Sequence, residues 1–202
     1  MELLYNTTIS GDLLKGEGRF TETVVGWFTK RRWVKEAFEM LQAAGYHIGS
    51  AYTAVKNPAK TTFVYRDRLW EGADLLGLGV ASFGHINGVH VQNLDKWPTY
   101  QAAIESGEIP LGRAYRPSSE ERLIREFVLQ LKRGATSPFY FAKKYGVDVL
   151  SRFGGALNSL RDDGYLAEAT SDRIALTREG LMRVDVLLPR FFLPEHAGIR
   201  YT

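Results

Sequence analysis

Between Asp74 and Asn93 the chain reads DLLGLGVASFGHINGVHVQN, an apolar run carrying Gly77, Gly79, Gly84 and Gly88 that passes into His85, Asn87, His90, Gln92 and Asn93. Imidazoles and carboxamides both donate and accept hydrogen bonds near neutral pH, so this cluster suits the polar edge of a ligand. The glycines fit places where backbone turns tightly or lets a ligand come close. His85 and His90 are five residues apart, which does not match the four-residue step that puts two metal ligands on one helix face. They could instead position a substrate or organise a loop. Phe83 could pack on a ligand or belong to the core. Arg113 could pair with a substrate carboxylate or lie in a surface ion pair. Asn93 suits the cap of a helix over 94–106.

Placing these groups requires regular elements around them. Leu75 to Val80 reads as a buried strand, with the Gly/His/Asn stretch as the loop at its carboxyl end, where α/β folds hold ligands. Glu2 to Ile9 reads as a strand and Ser10 to Gly18 as a loop. Lys30 to Ala44 reads as a helix with an apolar face of Trp33, Val34, Ala37, Phe38, Leu41 and Ala44, stopped by Gly45. Tyr46 to Lys56 reads as the next strand. Strand, helix and strand suggest a βα unit of a parallel sheet, too few to cover the sheet or close a barrel. Pro98 and Gly107 bracket a helix, and Glu108 to Pro117 is extended.

A boundary is expected near Pro117, giving segments 1–73, 74–117 and 118–202. Ser118 or Ser119 caps a helix from Glu120 to Lys132 whose apolar side carries Leu123, Ile124, Phe127, Val128 and Leu131. Helices over 139–145 and 147–162 follow. A hairpin, Tyr165 to Ala167 against Ile174 to Leu176, precedes a last helix over 178–187 capped by Thr177. Three helices and a β-ribbon predict a winged-helix-like unit. That architecture often binds DNA through its third helix, but Asp148, Arg152, Asn158, Arg161 and Asp162 nearly cancel in charge there, which weighs against nucleic acid.

Composition narrows the classes further. The net charge of +3, from 26 basic against 23 acidic residues, is too thin an excess to imply a polyanionic partner. No apolar run is long enough for a membrane helix and no signal-peptide pattern opens the chain, so a cytoplasmic location is expected. The chain contains no cysteine, which excludes disulfides and any thiolate-held zinc or iron-sulfur centre built from its own residues.

The 74–93 segment, together with Trp97-Pro98-Thr99-Tyr100, Gly107 to Leu111, Arg113-Ala114-Tyr115 and Ile124-Arg125-Glu126, resembles the carboxyl half of the oxygen-independent coproporphyrinogen III oxidase family of radical S-adenosylmethionine enzymes. The resemblance runs from about Leu3 onward. It implies a partial parallel βα barrel followed by a winged-helix-like helical domain, with S-adenosylmethionine and a 4Fe-4S cluster as cofactors. In the namesake enzymes two propionates of coproporphyrinogen III are oxidatively decarboxylated to vinyl groups. By position, Phe83, Gly84 and Asn6 match cofactor contacts, although Leu4 stands near where the family usually has proline. His85, Asn87, His90, Gln92 and Arg113 are substrate-side candidates, and no residue is a metal candidate.

Without cysteine the cluster motif must lie outside this chain. Met1 is expected to match an internal position of a longer protein, the chain alone to be inactive, and the missing barrel half, an electron donor and a tetrapyrrole to be its partners. An unpaired apolar sheet edge is expected near Leu3 to Ile9. Related proteins of this kind act as haem chaperones, methyltransferases or haem-degrading enzymes. A winged-helix binding module without catalysis is an alternative of another class.

Overall fold

A computed structural model describes residues 26–196. Asn6, the strand and loop expected over 2–18 and the expected sheet edge lie outside the described residues. Helix α1, Trp27–Ala43, turns Phe38 inward and ends at Gly45, whose φ of +81° is the left-handed conformation of a C-terminal cap. Trp33, expected on its apolar face, is exposed.

The single strand expected over 46–56 is a tight antiparallel hairpin, β1 His47–Ser50 against β2 Thr53–Val55. The buried Ser50 hydroxyl holds the hairpin closed, 2.8 Å from Thr53 Oγ1 and accepting from the Tyr52 N–H. Every strand pair among the described residues is antiparallel, and the first strand of the expected parallel βα unit lies outside them.

After helix α2, Val64–Trp70, the glycine-rich run does not form the expected buried strand. Leu76 and Leu78 are exposed, and the run joins regular structure only through one bridge from Leu75 to His85. It is a compact loop pinned by Asn93, whose side-chain amide donates to the Gly77 and Gly79 carbonyls at 3.0 and 2.9 Å. Asn93 therefore ends a strand rather than capping a helix, and Lys96 holds the N-cap position of α3, Trp97–Glu105.

The loop expected over the His/Asn stretch is instead a hairpin, β3 Phe83–Ile86 against β4 Val89–Asn93, extended by β5 Leu111–Tyr115 to the order β3-β4-β5. Its turn is Asn87-Gly88, with φ of +48° and +73°. Positive φ at both central residues belongs to the two-residue turn whose twist matches antiparallel strands.

The carboxyl-terminal part is organised by helix α4, Ser119–Leu131. Ser118 and Glu121 close the reciprocal cap at its start, the Ser118 side chain accepting from the Glu121 N–H. Helix α5 is Pro138–Tyr145. The third helix expected over 147–162 is broken into α6, Val149–Arg152, and α7, Gly154–Asp162. Phe153 leaves helical geometry to pack its ring 4.5 Å from Phe127, and the two following glycines give the helix little intrinsic support. Strands β6 Ala135–Thr136, β7 Leu166–Ala169 and β8 Ile174–Leu176 form a sheet in the order β6-β8-β7. Thr177 caps α8, Arg178–Met182, as expected, but Arg183 interrupts the helix before α9, Val184–Leu187.

The core centres on Phe127, fully buried, with the rings of Phe141, Phe153 and Phe191 at 5.4, 4.5 and 5.1 Å. Phe127→Ala is expected to destabilise the protein by about 3–5 kcal/mol, lost transfer energy and the residual cavity acting together. Urea melts measure it, and a loss below about 1 kcal/mol would show that the ring cluster collapses around the gap.

Candidate functional site

The registers of β3, β4 and β5 put Phe83 opposite Gln92, Gln92 opposite Arg113, His85 opposite His90 and His90 opposite Tyr115. Directly opposed residues share a face and side chains alternate along a strand, so these six residues occupy one face of the sheet. The spacing between the histidines is the reach across a two-residue turn. Their rings stand 4.6 Å apart at an interplanar angle of 66°.

Helix α4 faces the inner half of this surface. Glu121, Ile124, Arg125 and Val128, at steps of three and four, line an open cavity of about 590 Å³ with Phe83, Gly84, His85, His90 and Tyr115 from the sheet. Leu69 and Leu75 close one side, and Phe192, Leu193 and His196 another. The walls are mainly apolar, with a few polar groups converging on them, as in small-molecule sites.

His85 is 5% exposed and neither ring nitrogen has a hydrogen-bond partner. Its pKa is lowered from 6.5, chiefly by burial and then by the Arg125 charge. His90 is held at about 4, by burial first, then Arg125 and His85. Both rings are therefore neutral at pH 7, each with one donor and one acceptor nitrogen. Glu121 is held at about 2, chiefly by the Tyr115 hydroxyl, which donates at 2.5 Å, and then by the Ser118 N–H at 2.7 Å. The same carboxylate lies 3.0 Å from His196 Nε2, which ties the carboxyl-terminal turn to the cavity mouth.

The sequence-derived candidates divide by position. Phe83, Gly84, His85 and His90 line the cavity. Phe83 is 63% exposed, which overturns the reading of it as a core aromatic. Gly84 is required by packing, since a Cβ there would lie 2.8 Å from Val91 and 2.9 Å from the Leu75 carbonyl. Gln92 and Arg113 share the sheet face but sit beyond the cavity, where Arg113 Nε donates to Gln92 Oε1. Asn87 shapes the turn, its N–H donating to Asp74 at 2.8 Å.

Sequence reasoning gave no site role to Tyr115, Glu121, Arg125 or His196, although Tyr115 and Arg125 lie in stretches that carry the resemblance and Glu121 in the first turn of a capped helix. The Asn87-Gly88 turn signal between apolar residues was available to pair the two histidines. Among the described residues no group of three or more His, Cys, Asp or Glu side chains could hold a metal ion, and no helix is long and apolar enough to cross a membrane.

No family model matches the chain. It is 25% identical over 148 residues to the haem chaperone HemW of Bacillus subtilis, covering 72% of this chain and 39% of that protein. It is 26% identical over 112 residues to the oxygen-independent coproporphyrinogen III oxidase of Helicobacter pylori, covering 54% of this chain and 24% of that protein. Its fold matches Escherichia coli coproporphyrinogen III oxidase (HemN), described as a radical SAM enzyme, with a TM-score of 0.67 at 17% identity, over 85% of this chain and 42% of that one. The resemblance to the oxygen-independent coproporphyrinogen III oxidase-like radical SAM family is thus borne out. The chain spans about two fifths or less of the length of these relatives.

The neutral histidines give stability a defined pH dependence. In the unfolded chain His90 returns to its ordinary value of 6.5, against about 4 when folded, so unfolding takes up a proton between those values. Stability is complete above about pH 6.5 and falls as the pH drops toward 4. His90→Gln is expected to flatten the slope of unfolding free energy between about pH 6.5 and 5, a window above the titration of Glu121. Urea melts across that range check it, and an unchanged slope would mean that the ring is solvated in the fold.

Proposed function

We propose that this chain is the carboxyl-terminal portion of a radical S-adenosylmethionine protein of the oxygen-independent coproporphyrinogen III oxidase type, forming one wall of a cavity for cofactor and tetrapyrrole. The observation that carries this reading is the convergence of Phe83, His85 and His90, from the segment that most specifically resembles the family, on one apolar cavity. In keeping with that reading, α4 to α9 and the β6-β8-β7 sheet form a winged-helix-like unit behind the cavity, and residues 26–117 adjoin the missing barrel half.

The residues present fit the two cofactors differently. Holding a 4Fe-4S cluster requires thiolates, and the chain has none, so none of its residues is assigned a step through a cluster. For S-adenosylmethionine, the exposed Phe83 ring at the cavity rim offers a flat apolar surface to adenine or methionine carbons. When bound, the cofactor supplies the radical that removes hydrogen from substrate. This chain's residues bind and exclude water: the walls from Leu69, Ile124 and Val128 shield an apolar macrocycle, and the imidazoles of His85 and His90 hydrogen-bond its polar edge without adding charge.

A haem chaperone is the second reading, favoured by the match to HemW extending over more of this chain than the match to the oxidase. A binding module for nucleic acid draws less support. Arg152 is paired with Glu120, and Arg190 with Asp163 at 2.7 Å, which leaves little free positive charge around α6 and α7.

The coding sequence upstream is expected to contain a C-x3-C-x2-C segment, and its absence would overturn the radical-enzyme reading. In the complete protein, Phe83→Ala is expected to weaken S-adenosylmethionine binding about tenfold, the order of one lost aromatic contact. Because the ring is exposed, the thermal midpoint should hold. Calorimetric titration and a thermal scan of the same sample separate the two effects, and unchanged affinity would remove Phe83 from the cofactor site.

A further inference from the structure

Arg125 lines the cavity, partly buried, yet it makes no hydrogen bond or ion pair among the described residues. Lys144 is neutralised by Glu126 at 2.8 Å, Arg133 by Glu71 at 3.2 Å and Lys132 by Asp185 at 3.0 Å, while Arg122, which also has no ion pair among the described residues, does not line the cavity. The two acids on its own helix within reach are occupied. Glu121 is taken by Tyr115, Ser118 and His196, and Glu126 by Tyr140 and Lys144. An arginine held against apolar walls without a counter-ion is unfavourable unless an anion arrives from outside.

A second observation points to the same occupant. His85, buried with both ring nitrogens unpartnered, lines the cavity alongside Arg125. Buried polar atoms of this kind are rare in proteins and call for a partner. The walls require that partner to be largely apolar and the guanidinium requires an anionic end, a combination met by an apolar ring system bearing carboxylates.

We propose that Arg125 is the carboxylate anchor of this cavity, pairing with a propionate of the tetrapyrrole while the neutral His85–His90 pair hydrogen-bonds nearby polar atoms. This assignment rests on the tetrapyrrole reading above and moves the anionic contact from Arg113, which lies beyond the cavity with Gln92, to α4. The geometry available to a guanidinium is bidentate, so lysine is an incomplete substitute.

The test uses the complete protein with two probes, protoporphyrin IX and its dimethyl ester, titrated by fluorescence at fixed ionic strength. Arg125→Gln is expected to weaken the dicarboxylate by about tenfold or more, the order of one charge-assisted hydrogen-bonded pair, and the ester by less than about twofold. Arg125→Lys should fall between. Arg173→Gln, which removes the same charge from the remote β7-β8 turn, should change neither affinity, and circular dichroism confirms that each variant is folded. Equal losses for acid and ester, or no loss for either, would overturn the assignment while leaving the tetrapyrrole cavity standing. Failure of the unsubstituted complete protein to bind either probe would overturn both.

Discussion

A buried carboxylate holds the two halves of the structure together. Glu126 is 4% exposed, and its oxygens accept from Lys144 Nζ at 2.8 and 2.9 Å and from the Tyr140 hydroxyl at 2.7 Å. The same ammonium donates to the Glu71 carbonyl at 2.8 Å, and the same hydroxyl lies 2.9 Å from it, at the end of α2. Arg133 adds an ion pair to the Glu71 side chain. An unpaired carboxylate at this depth is costly, so each partner is held in place by the need to satisfy it. Burial, and then the hydrogen bond to Glu126, also raise the Tyr140 pKa, so the hydroxyl stays a donor at any physiological pH. The network fixes α2, α4 and α5 relative to one another.

Helix α4 follows from that constraint, because it is packed on two sides. Leu123, Phe127 and Leu131 enter the phenylalanine core, Glu121 and Arg125 line the cavity, and Ile124 and Val128 belong to both. A helix with one apolar stripe could serve only one of these surfaces. Rotating α4 to relax the cavity would drag Phe127 out of a ring cluster packed at van der Waals contact. Rigid support of this kind is what a binding surface needs if its side chains are to keep their positions without a ligand.

Legibility in the sequence tracked the range of the interactions involved. The cap at Ser118 and Glu121, the apolar face of α4 and the β7-β8 hairpin depend on neighbours within a few residues, and all were readable. The run from Leu75 to Val80 was misread because an apolar stretch with glycines matches both a buried strand and a tight loop; what decides between them is Asn93, more than ten residues later, hydrogen-bonding to Gly77 and Gly79. His85 and His90 stand out in the sequence as chemically unusual, yet their adjacency needed the turn between them to be recognised. Arg125 was invisible as a functional group. Its meaning depends on the partners of Glu121 and Glu126, and those partners include His196 and Lys144, which lie 75 and 18 residues away in the chain.

The electrostatic asymmetry of the cavity follows from the same bookkeeping of partners. Acids near the site are locked into structural contacts, whereas the one guanidinium that lines the cavity, Arg125, and two uncharged imidazoles are not. The Arg125 charge and the loss of water both disfavour a proton on His85 and His90, so the pair cannot share the role of cation. Positive charge is thereby concentrated at one point of an otherwise apolar wall, and the donors beside it remain directional rather than ionic. A neutral apolar ligand would leave Arg125 uncompensated, and a small hydrophilic anion would leave the walls wet. Only a ligand with both characters satisfies the surface, so selectivity arises from what the fold has already paired as much as from what it leaves open.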